Sequence, residues 1–286
     1  MKITVIGSTG QFGTDLMKIL SKEHEVTGLD HQDIEIADYN SCQILKQGQP
    51  DVIINTAAFH KTDQCEKEPM KTFSVNALGA RNIASISKKI DSSVVFISTD
   101  YVFDGSKNEP YTEDDMPFPL NTYGISKLAA EYFIRQNPKY YILRIASVFG
   151  VAGASGKGGN FVETMITKAN NNEKISVVND MWMSPTYTKD AARILNGILE
   201  YKLPFGIYHT TNHGFCSWYE FAREIFRILE LNPILKPVKA DPNYGLAKRP
   251  KFSALRSIKL SNYELESRPW EEALYAYLVE KGHLEE

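Results

Sequence analysis

The run Ile3-Thr-Val-Ile-Gly7-Ser-Thr-Gly10-Gln-Phe-Gly13 joins an apolar, β-branched stretch directly to three regularly spaced glycines. The stretch is typical of a buried strand, and the pattern that follows it predicts a helix over 11–20. Glycines between a strand and a helix allow a tight turn and a close approach to a pyrophosphate, which the free N–H groups of the helix N-terminus can bind. The spacing is one residue wider than the simplest fingerprint, but its context predicts a dinucleotide-binding loop at Gly7, Gly10 and Gly13.

Short apolar runs continue to alternate with helical patterns through the first half of the chain. Further strands are predicted at 25–29, 51–55, 94–98 and 140–145, and further helices at 41–46, 71–88 and 127–135. Runs that are apolar nearly throughout are typical of parallel strands buried on both faces. The pattern therefore predicts an α/β fold built on a Rossmann-type doubly wound parallel sheet.

The second half is less regular and is predicted to form a smaller, interleaved lobe. Glycines dominate 150–160, and Pro233–Arg249 is punctuated by prolines and predicted to be a loop. Helices are predicted at 161–170, 189–199, 217–229 and 270–281, with strands at 175–178 and 206–209. We assign 1–150 to an NAD(P)-binding domain and 151–286 to a substrate-binding lobe, some segments of which return to the first domain.

The bulk composition argues against several classes of partner. The 286 residues carry a formal net charge of -3, which gives no electrostatic basis for binding nucleic acid or an anionic membrane surface. The apolar runs fall well short of the ~20 residues of a membrane helix. The three cysteines are odd in number and widely spaced, which favours a reduced, cytoplasmic compartment over a disulfide framework.

Two segments after predicted strands extend the cofactor site. Asp30 follows the second strand, where a carboxylate accepts hydrogen bonds from the adenosine ribose and repels a 2′-phosphate. This position favours NADH over NADPH, although an aspartate at a strand end can also be simply solvated. Ala57 and Ala58 follow the third strand, and their small side chains suit either an overlying cofactor or close packing.

The spacing Tyr-x-x-x-Lys occurs three times, at Tyr123/Lys127, Tyr244/Lys248 and Tyr277/Lys281. On a helix it places both side chains on one face, where the ammonium lowers the pKa of the phenol and prepares it to donate a proton to a carbonyl oxygen. Only the first pair follows a strand end that carries polar groups, Ser98-Thr99-Asp100, and starts a credible helix. We therefore predict Tyr123 and Lys127 as the catalytic pair, with the Thr99 hydroxyl beside the substrate oxygen.

A metal site is not predicted. His209, His213 and Cys216 are close in sequence, but one histidine falls at a strand end and the other in a loop. Helical ligand spacing therefore does not apply, and no clear fourth ligand follows.

Four segments together resemble the dTDP-4-dehydrorhamnose reductase family, within the extended short-chain dehydrogenase/reductase superfamily. They are Ser98-Thr-Asp-Tyr-Val-Phe-Asp-Gly105, Pro119-Leu-Asn-Thr-Tyr-Gly-Ile-Ser-Lys127, Ser184-Pro-Thr-Tyr187 and Arg249-Pro-Lys-Phe-Ser253. The resemblance covers nearly the whole chain. The last two segments carry it most specifically, because the glycine loop and the tyrosine–lysine pair are shared much more widely.

The resemblance implies an oxidoreductase that uses NADH or NADPH to reduce the C4 ketone of dTDP-4-dehydro-β-L-rhamnose to dTDP-L-rhamnose, for polysaccharide synthesis. It implies that Tyr123 is the acid, and that Lys127 tunes it and holds the nicotinamide ribose. It places the cofactor at Gly10, Gln11, Phe12, Glu35, Ile36, Ala58, Phe59 and His60. It places the substrate at Thr99, Asp100, Ser147, Asn160 and Arg249, the last as a candidate for the nucleotide end.

The sequence departs from the family around the implied sugar pocket. Ser147 stands where members commonly have a tryptophan, and the loop over 150–160 is longer than usual. The alternatives are therefore a reductase of another nucleotide-linked 4-keto-6-deoxy sugar, an epimerase or dehydratase of the superfamily, or a non-catalytic dinucleotide-binding regulatory subunit. Tyr101 after Asp100 leaves out the acidic pair of dehydratases, and retention of the catalytic residues argues against a pure binder. The assembly is left open, with a homodimer as one form.

Overall fold

A six-stranded parallel sheet forms the centre of the computed structural model, which describes residues 1–153, 159–241 and 245–285. In chain order the strands are β1 (Lys2–Ile6), β2 (Glu25–Leu29), β3 (Val52–Asn55), β4 (Ser93–Thr99), β5 (Tyr140–Ile145), β6 (Val148–Phe149), β7 (Ile175–Val178), β8 (Trp182–Met183), β9 (Thr186–Tyr187), β10 (Gly206–His209), β11 (Cys216–Ser217) and β12 (Leu235–Val238). The central sheet has the order β2-β1-β3-β4-β5-β10, and its neighbours are all parallel. The strand order reverses between β1 and β3, and the crevice at such a reversal is where doubly wound sheets bind ligands.

Helices cover both faces of this sheet. In chain order, the helices of the described residues are α1 (Gln11–Leu20), α2 (Thr62–Lys67), α3 (Pro69–Phe73), α4 (Gly79–Lys89), α5 (Thr122–Ile134), α6 (Phe161–Asn170), α7 (Thr188–Glu200), α8 (Trp218–Ile228) and α9 (Trp270–Glu280). A π-helical turn at Ser74–Leu78 joins α3 to α4, and 3₁₀ turns lie at Ser41–Lys46, Asp100–Val102 and Leu260–Tyr263. No helix in the described part of the chain has the length and apolar character needed to span a bilayer.

Successive residues of the central strands enter two different apolar cores. Val5 of β1 and Val95 of β4 pack in the core that α1 and α7 close, whereas Ile6 and Phe96 pack in the core that α4 and α5 close. Because both faces are covered, the strands are apolar nearly throughout rather than alternating. The structure confirms the predicted Rossmann-type doubly wound sheet.

A further apolar core belongs to the second half of the chain. Helices α6, α8 and α9 pack there around Phe149, Tyr187 and Tyr277. Helix α7 and strand β10, although they come late in the sequence, pack with the central sheet instead. The assignment of 1–150 to the cofactor and 151–286 to the substrate remains a prediction.

The prediction of a loop throughout Pro233–Arg249 is wrong at its start. Leu235–Val238 forms β12, which pairs in parallel with β7. The partner lies about 60 residues away in the sequence, so local pattern could not reveal the pairing, and Pro237 is tolerated because β12 is an edge strand.

Candidate active site

The carboxyl ends of β1, β3, β4 and β5 open into a cavity of about 1490 Å³. Its far wall comes from α6 and α8, which belong to the other core. The predicted site residues line this one cavity, with the exceptions of Gly13 and Arg249. A single space therefore brings together side chains that are scattered over the sequence from Gly7 to Asn160.

The glycine loop has the geometry expected where a strand must pass directly into a helix. Gly7 has a φ of +79°, and a Cβ built on it would lie 2.5 Å from the Thr56 hydroxyl oxygen. A Cβ on Gly13 would lie 2.1 Å from the carbonyl oxygen of Gly7, so this glycine keeps α1 close to β1 instead of facing the cavity. These are the tight turn and close helix–strand contact of a dinucleotide loop.

Gln11 supplies a direct sign that the loop is built for a polar ligand. Its side chain lines the cavity at the N-terminus of α1, and only 7% of the residue is exposed. Neither the amide nitrogen nor the amide oxygen has a hydrogen-bond partner. Buried polar atoms without partners are rare, because each one costs the free energy of its lost hydration. The residues of the loop therefore fit a dinucleotide pyrophosphate.

The segment after β2 forms the next part of the wall. Ile34 and Ile36 are buried and present apolar surface to the cavity, with Glu35 between them. The carboxylate of Asp30 accepts a hydrogen bond from the backbone N–H of Gln32 at 2.8 Å. Asp30 also lines the cavity, so its carboxylate lies within reach of a ligand there.

Asn76, which the sequence reasoning missed, holds the segment after β3 in place. It lies in the π-helical turn, accepts a hydrogen bond from the Phe59 N–H at 2.8 Å and donates one to the Phe59 carbonyl at 2.9 Å. It also donates to the Ser126 hydroxyl on α5 at 3.0 Å. One side chain thus fixes Ala57–His60 relative to the helix that carries Tyr123. The only local signal is an asparagine inside a helical pattern.

The predicted catalytic pair lies on α5. Asn121 caps this helix by accepting a hydrogen bond from the Gly124 N–H at 2.8 Å, which places Tyr123 in the first turn and Lys127 one turn later. Thr99, at the end of β4, interacts with the Tyr123 hydroxyl and donates to Asp100 at 3.0 Å. The structure therefore brings Thr99, Tyr123 and Lys127 together at the cavity wall.

The electrostatics of the pair differ from the prediction. Burial raises the pKa of Tyr123, whereas an ammonium in contact would have lowered it. The Lys127 ammonium instead donates to the Ile97 carbonyl at 2.6 Å and lies 4.0 Å from the centre of the Phe96 ring. Burial lowers the pKa of Lys127 to about 7. Desolvation is thus the largest influence on the pKa of each group.

Asp100 is a third titratable group at this wall. The residue is 3% exposed, and burial raises the pKa of its carboxyl to about 6, against opposing hydrogen bonds from Ser253 and Thr99. Its neighbour Tyr101 packs edge-on against Tyr123, with 6.0 Å between ring centres.

The other two tyrosine–lysine pairs have different surroundings. Tyr277 is buried in the core of α6, α8 and α9, where its hydroxyl donates to Glu163. Lys281 donates to the Val151 carbonyl at 2.7 Å. Tyr244 lies outside the described residues. His209 is buried against the Phe103 ring, and its Nδ1 lies 3.1 Å from the Tyr111 carbonyl oxygen.

Of the predicted substrate residues, Ser147 and Asn160 line the cavity, whereas Arg249 does not. Ser147 lines the cavity with a left-handed backbone, φ +44°. Asn160 lines it as well, but its side chain caps α6 and donates to the Gly150 carbonyl at 3.2 Å. Residues 154–158 of the predicted loop lie outside the described residues. Arg249 pairs instead with Asp63 at 2.8 Å, and Asp63 is the one of the two that lines the cavity.

An aromatic part of the cavity wall was not predicted. Phe161 and Trp218 both line the cavity, with ring centres 4.7 Å apart. Trp218 starts α8, and its side chain packs against the core of α6, α8 and α9 as well as lining the cavity.

Comparison with known proteins agrees with this geometry. The family model described as the RmlD substrate binding domain matches residues 1–282. Over 284 residues the chain is 39% identical to the spore coat polysaccharide biosynthesis protein SpsK of Bacillus subtilis (strain 168), with 98% of each covered. Over 289 residues it is 35% identical to the dTDP-4-dehydrorhamnose reductase of Aggregatibacter actinomycetemcomitans, covering 96% of this chain and 97% of that protein.

A solved structure shares the fold over the same length. The crystal structure of dTDP-4-dehydrorhamnose reductase from Bacillus anthracis, in complex with NADP, matches with a TM-score of 0.91 and 36% identity, covering 98% of this chain and 99% of that one. The chain thus belongs to the RmlD substrate binding domain family, that of the dTDP-4-dehydrorhamnose reductases in the extended short-chain dehydrogenase/reductase superfamily.

Proposed function

We propose that the chain reduces the C4 ketone of dTDP-4-dehydro-L-rhamnose to dTDP-L-rhamnose with NADH or NADPH, for the synthesis of a cell-surface polysaccharide. The observation that carries this proposal is the meeting of Thr99, Tyr123 and Lys127 in the same cavity as the glycine loop. A volume of about 1490 Å³ exceeds the ~300–1,000 Å³ of a pocket for one small ligand, which suits a dinucleotide and a nucleotide sugar side by side.

The residues that would hold the cofactor follow one wall of the cavity. The loop at Gly7 and Gly10, with Gln11 and Phe12, would take the pyrophosphate, and Glu35 and Ile36 would flank the adenine. Ala57–His60 would lie along the cofactor, towards Lys127. When bound, the nicotinamide supplies the hydride for the ketone carbon.

Tyr123 is proposed as the acid of the reaction. Because burial raises the pKa of its phenol, the side chain keeps its proton at neutral pH and can donate it to the ketone oxygen. The Thr99 hydroxyl, which interacts with that of Tyr123, would hold that oxygen in line with the phenol. Lys127 would hold the nicotinamide ribose with its ammonium, and Asp100 would contact the sugar.

The choice between NADH and NADPH rests on Asp30. A carboxylate at this place disfavours a 2′-phosphate, which supports NADH, while the relative from Bacillus anthracis was solved with NADP. We therefore propose that both cofactors are used, with NADH preferred.

The sugar is the second open choice. The aromatic wall of Phe161 and Trp218 suits the apolar face of a 6-deoxyhexose. Ser147 leaves space where family members commonly carry a tryptophan, which favours a related 4-keto-6-deoxy sugar as the second candidate substrate. The complete catalytic set argues against a purely regulatory dinucleotide-binding subunit.

A cytoplasmic location is part of the proposal, supported by three cysteines that are all free and buried. A homodimer is the assembly we propose to test alongside activity.

The test is a substrate panel with a catalytic variant. The protein is mixed with dTDP-, GDP-, UDP- and CDP-linked 4-keto-6-deoxy sugars and with NADH or NADPH, and loss of nicotinamide absorbance is followed. We expect turnover with the dTDP sugar. Tyr123→Phe should lower kcat by roughly 10²–10⁴-fold, because the proton donor is lost, while NADH still binds.

The matched control is Tyr132→Phe, on the same helix but 57% exposed, which should leave turnover unchanged. Normal reduction by Tyr123→Phe would contradict the mechanism. Failure of the wild-type protein to oxidise either cofactor with any sugar would favour the regulatory role.

A further inference from the structure

A buried ion pair lies directly behind the proposed catalytic pair. Tyr123, Lys127 and Glu131 follow one another at four-residue intervals on α5, so they form one column on its inner face. Glu131 pairs with Arg144 of β5 through two hydrogen bonds, Nε at 3.0 Å and Nη2 at 2.8 Å, and both side chains are 2% exposed.

The carboxylate of Glu131 has a third partner on the strand that ends at Thr99. The Ser98 hydroxyl donates to Glu131 at 2.6 Å. Two hydrogen bonds from the Arg144 guanidinium and one from the Ser98 hydroxyl therefore hold this carboxylate in one orientation, one helical turn from Lys127.

We propose that Glu131, held by Arg144 and Ser98, is a positioning residue for the reaction, which keeps Lys127 in its ammonium form at the cofactor side of the cavity. The inference rests on the proposed function, because it takes Lys127 as the residue that holds the nicotinamide ribose. It assigns a role to Glu131 and Arg144, which do not line the cavity.

The charges packed around α5 single out Glu131. Asp100 and Tyr101 from the 3₁₀ turn and Cys65 from α2 act on Tyr123. Glu66 of α2 accepts two hydrogen bonds from Thr122 at the start of α5, at 2.8 and 2.6 Å. The π-helical turn at Ser74–Leu78, the buried face of α4 and strand β4 contain no ionisable side chain. Among the described residues, Glu131 is the charged group that counters the desolvation of Lys127.

A purely structural role is less consistent with these contacts. A buried ion pair contributes little net stability compared with an apolar pair of similar size, because both charges lose their hydration. The Nη1 of Arg144 is buried without a hydrogen-bond partner, so the pair is not even fully satisfied. A fold that needed only packing between α5 and β5 would be served as well by two apolar side chains.

The test measures NADH binding by its fluorescence from pH 5 to 9, in the wild-type protein and in Glu131→Gln. Lys127→Met identifies the part of the pH dependence that belongs to Lys127. We expect the loss of affinity with rising pH to move about one pH unit lower in Glu131→Gln, so that binding is roughly five-fold weaker at pH 7. At pH 5.5, where the ammonium persists in both proteins, the affinities should agree within about two-fold.

Two further variants separate an effect on the ionisation of Lys127 from an effect on folding. Glu131→Gln leaves Arg144 buried and unpaired, so the double variant Glu131→Met/Arg144→Met, which removes both charges, is measured as well. It should have a Tm close to that of the wild-type protein and still show the shift. Asp91→Asn, which breaks the exposed Asp91–Lys139 pair, should change neither quantity.

The outcomes distinguish this inference from the proposed function. An unshifted profile in the folded double variant, or a loss of affinity that is equal at every pH, overturns the role of Glu131. If the pH profile of NADH binding by the wild-type protein contains no ionisation that Lys127→Met removes, Lys127 does not hold the ribose. The proposed role of Glu131 then fails as well. The pH profile of kcat/KM should shift in the same way, and the activity of Glu131→Gln should return to that of the wild-type protein at low pH. If NADH binding shifts as expected but kcat/KM does not, the proposed substrate is wrong and the role of Glu131 in cofactor binding stands.

Discussion

At the level of single residues, burial sets the protonation of all three proposed active-site groups. It raises the pKa of Asp100 to about 6, raises the pKa of Tyr123 and lowers the pKa of Lys127 to about 7. Each shift favours the uncharged form of the group, as expected where desolvation exceeds the attraction of neighbouring charges. Perturbations of this kind that converge on one cavity are typical of a functional site rather than of a merely stable one.

Asp100 should therefore cost the protein stability at neutral pH. Its carboxyl has a folded-state pKa of about 6 against an ordinary value of 3.8, so the folded state keeps the proton over a range in which the unfolded chain loses it. Stability falls as the pH rises from about 4 to 6, and above that the cost is on the order of 3 kcal/mol. Asp100→Asn should raise the free energy of unfolding at pH 7.5 by up to that amount, with little difference near pH 4.

Urea unfolding at both pH values measures this difference, and Asp91→Asn provides a control, because Asp91 is exposed. A less stable Asp100→Asn at pH 7.5 would mean that the hydrogen bonds to the carboxylate outweigh its desolvation. The same variant should lose activity if Asp100 contacts the sugar, which is the usual conflict between stability and function.

At the level of elements, the sequence predicted the strands of the central sheet and the long helices, because their signals are local. The strand β1 and its glycine turn, the start of α1 and the tyrosine–lysine spacing on α5 can all be read from neighbouring residues. Asn76, Glu131 and Arg144 could not be read in this way. Asn76 is hydrogen-bonded to Phe59, and Glu131 to both Arg144 and Ser98. Because these partners come from other elements, only the folded chain shows what the side chains do.

Helix α5 shows how one small residue fixes the geometry of such an element. A Cβ on Gly124 would lie 2.2 Å from the Tyr101 carbonyl oxygen and 3.0 Å from Cβ of Pro119. Because a backbone carbonyl cannot move aside cheaply, Gly124→Ala should push the start of α5 away from the turn at Asp100–Val102. We expect a destabilisation of about 1–3 kcal/mol and at least a ten-fold loss of kcat, because Tyr123 is displaced from Thr99.

Thermal unfolding and steady-state kinetics check both parts of this expectation. The matched control is Gly48→Ala, since a Cβ there meets nothing within 4 Å. Wild-type activity in Gly124→Ala would show that the start of the helix adapts and that its contact with Tyr101 does not position the phenol.

At the level of the whole molecule, the cavity lies between two separately packed bodies, the central sheet with its helices and the core of α6, α8 and α9. The proposed cofactor loop and proton donor belong to the first body, whereas the aromatic wall belongs to the second. The distance between cofactor and sugar therefore depends on the contacts that join the two bodies. Asp190 on α7 is such a contact, because it pairs with Arg268, which precedes α9.

Arg268→Met should weaken this contact between the two bodies. Asp190 is 7% exposed and accepts hydrogen bonds from Arg268 Nε at 2.8 Å, Arg268 Nη2 at 2.9 Å and Asn212 at 2.8 Å. Loss of the guanidinium leaves a largely buried carboxylate with one remaining strong partner. Since Arg268 is 30% exposed, we expect a moderate destabilisation of about 1–3 kcal/mol. Hydrogen exchange should increase first in α8 and α9, because the central sheet keeps its own core.

Arg193→Met is the matched control, because Arg193 approaches the same carboxylate at 3.5 Å but is 58% exposed. An exposed ion pair of this kind contributes little, so the control should change stability by less than about 0.5 kcal/mol. If this contact sets the spacing of the cavity, Arg268→Met should also raise KM for the sugar nucleotide more than the dissociation constant for NADH, since the proposed cofactor site lies on one body and the proposed sugar site spans both. Equal effects of the two substitutions, or equal exchange in both bodies, would show that the bodies are held together elsewhere.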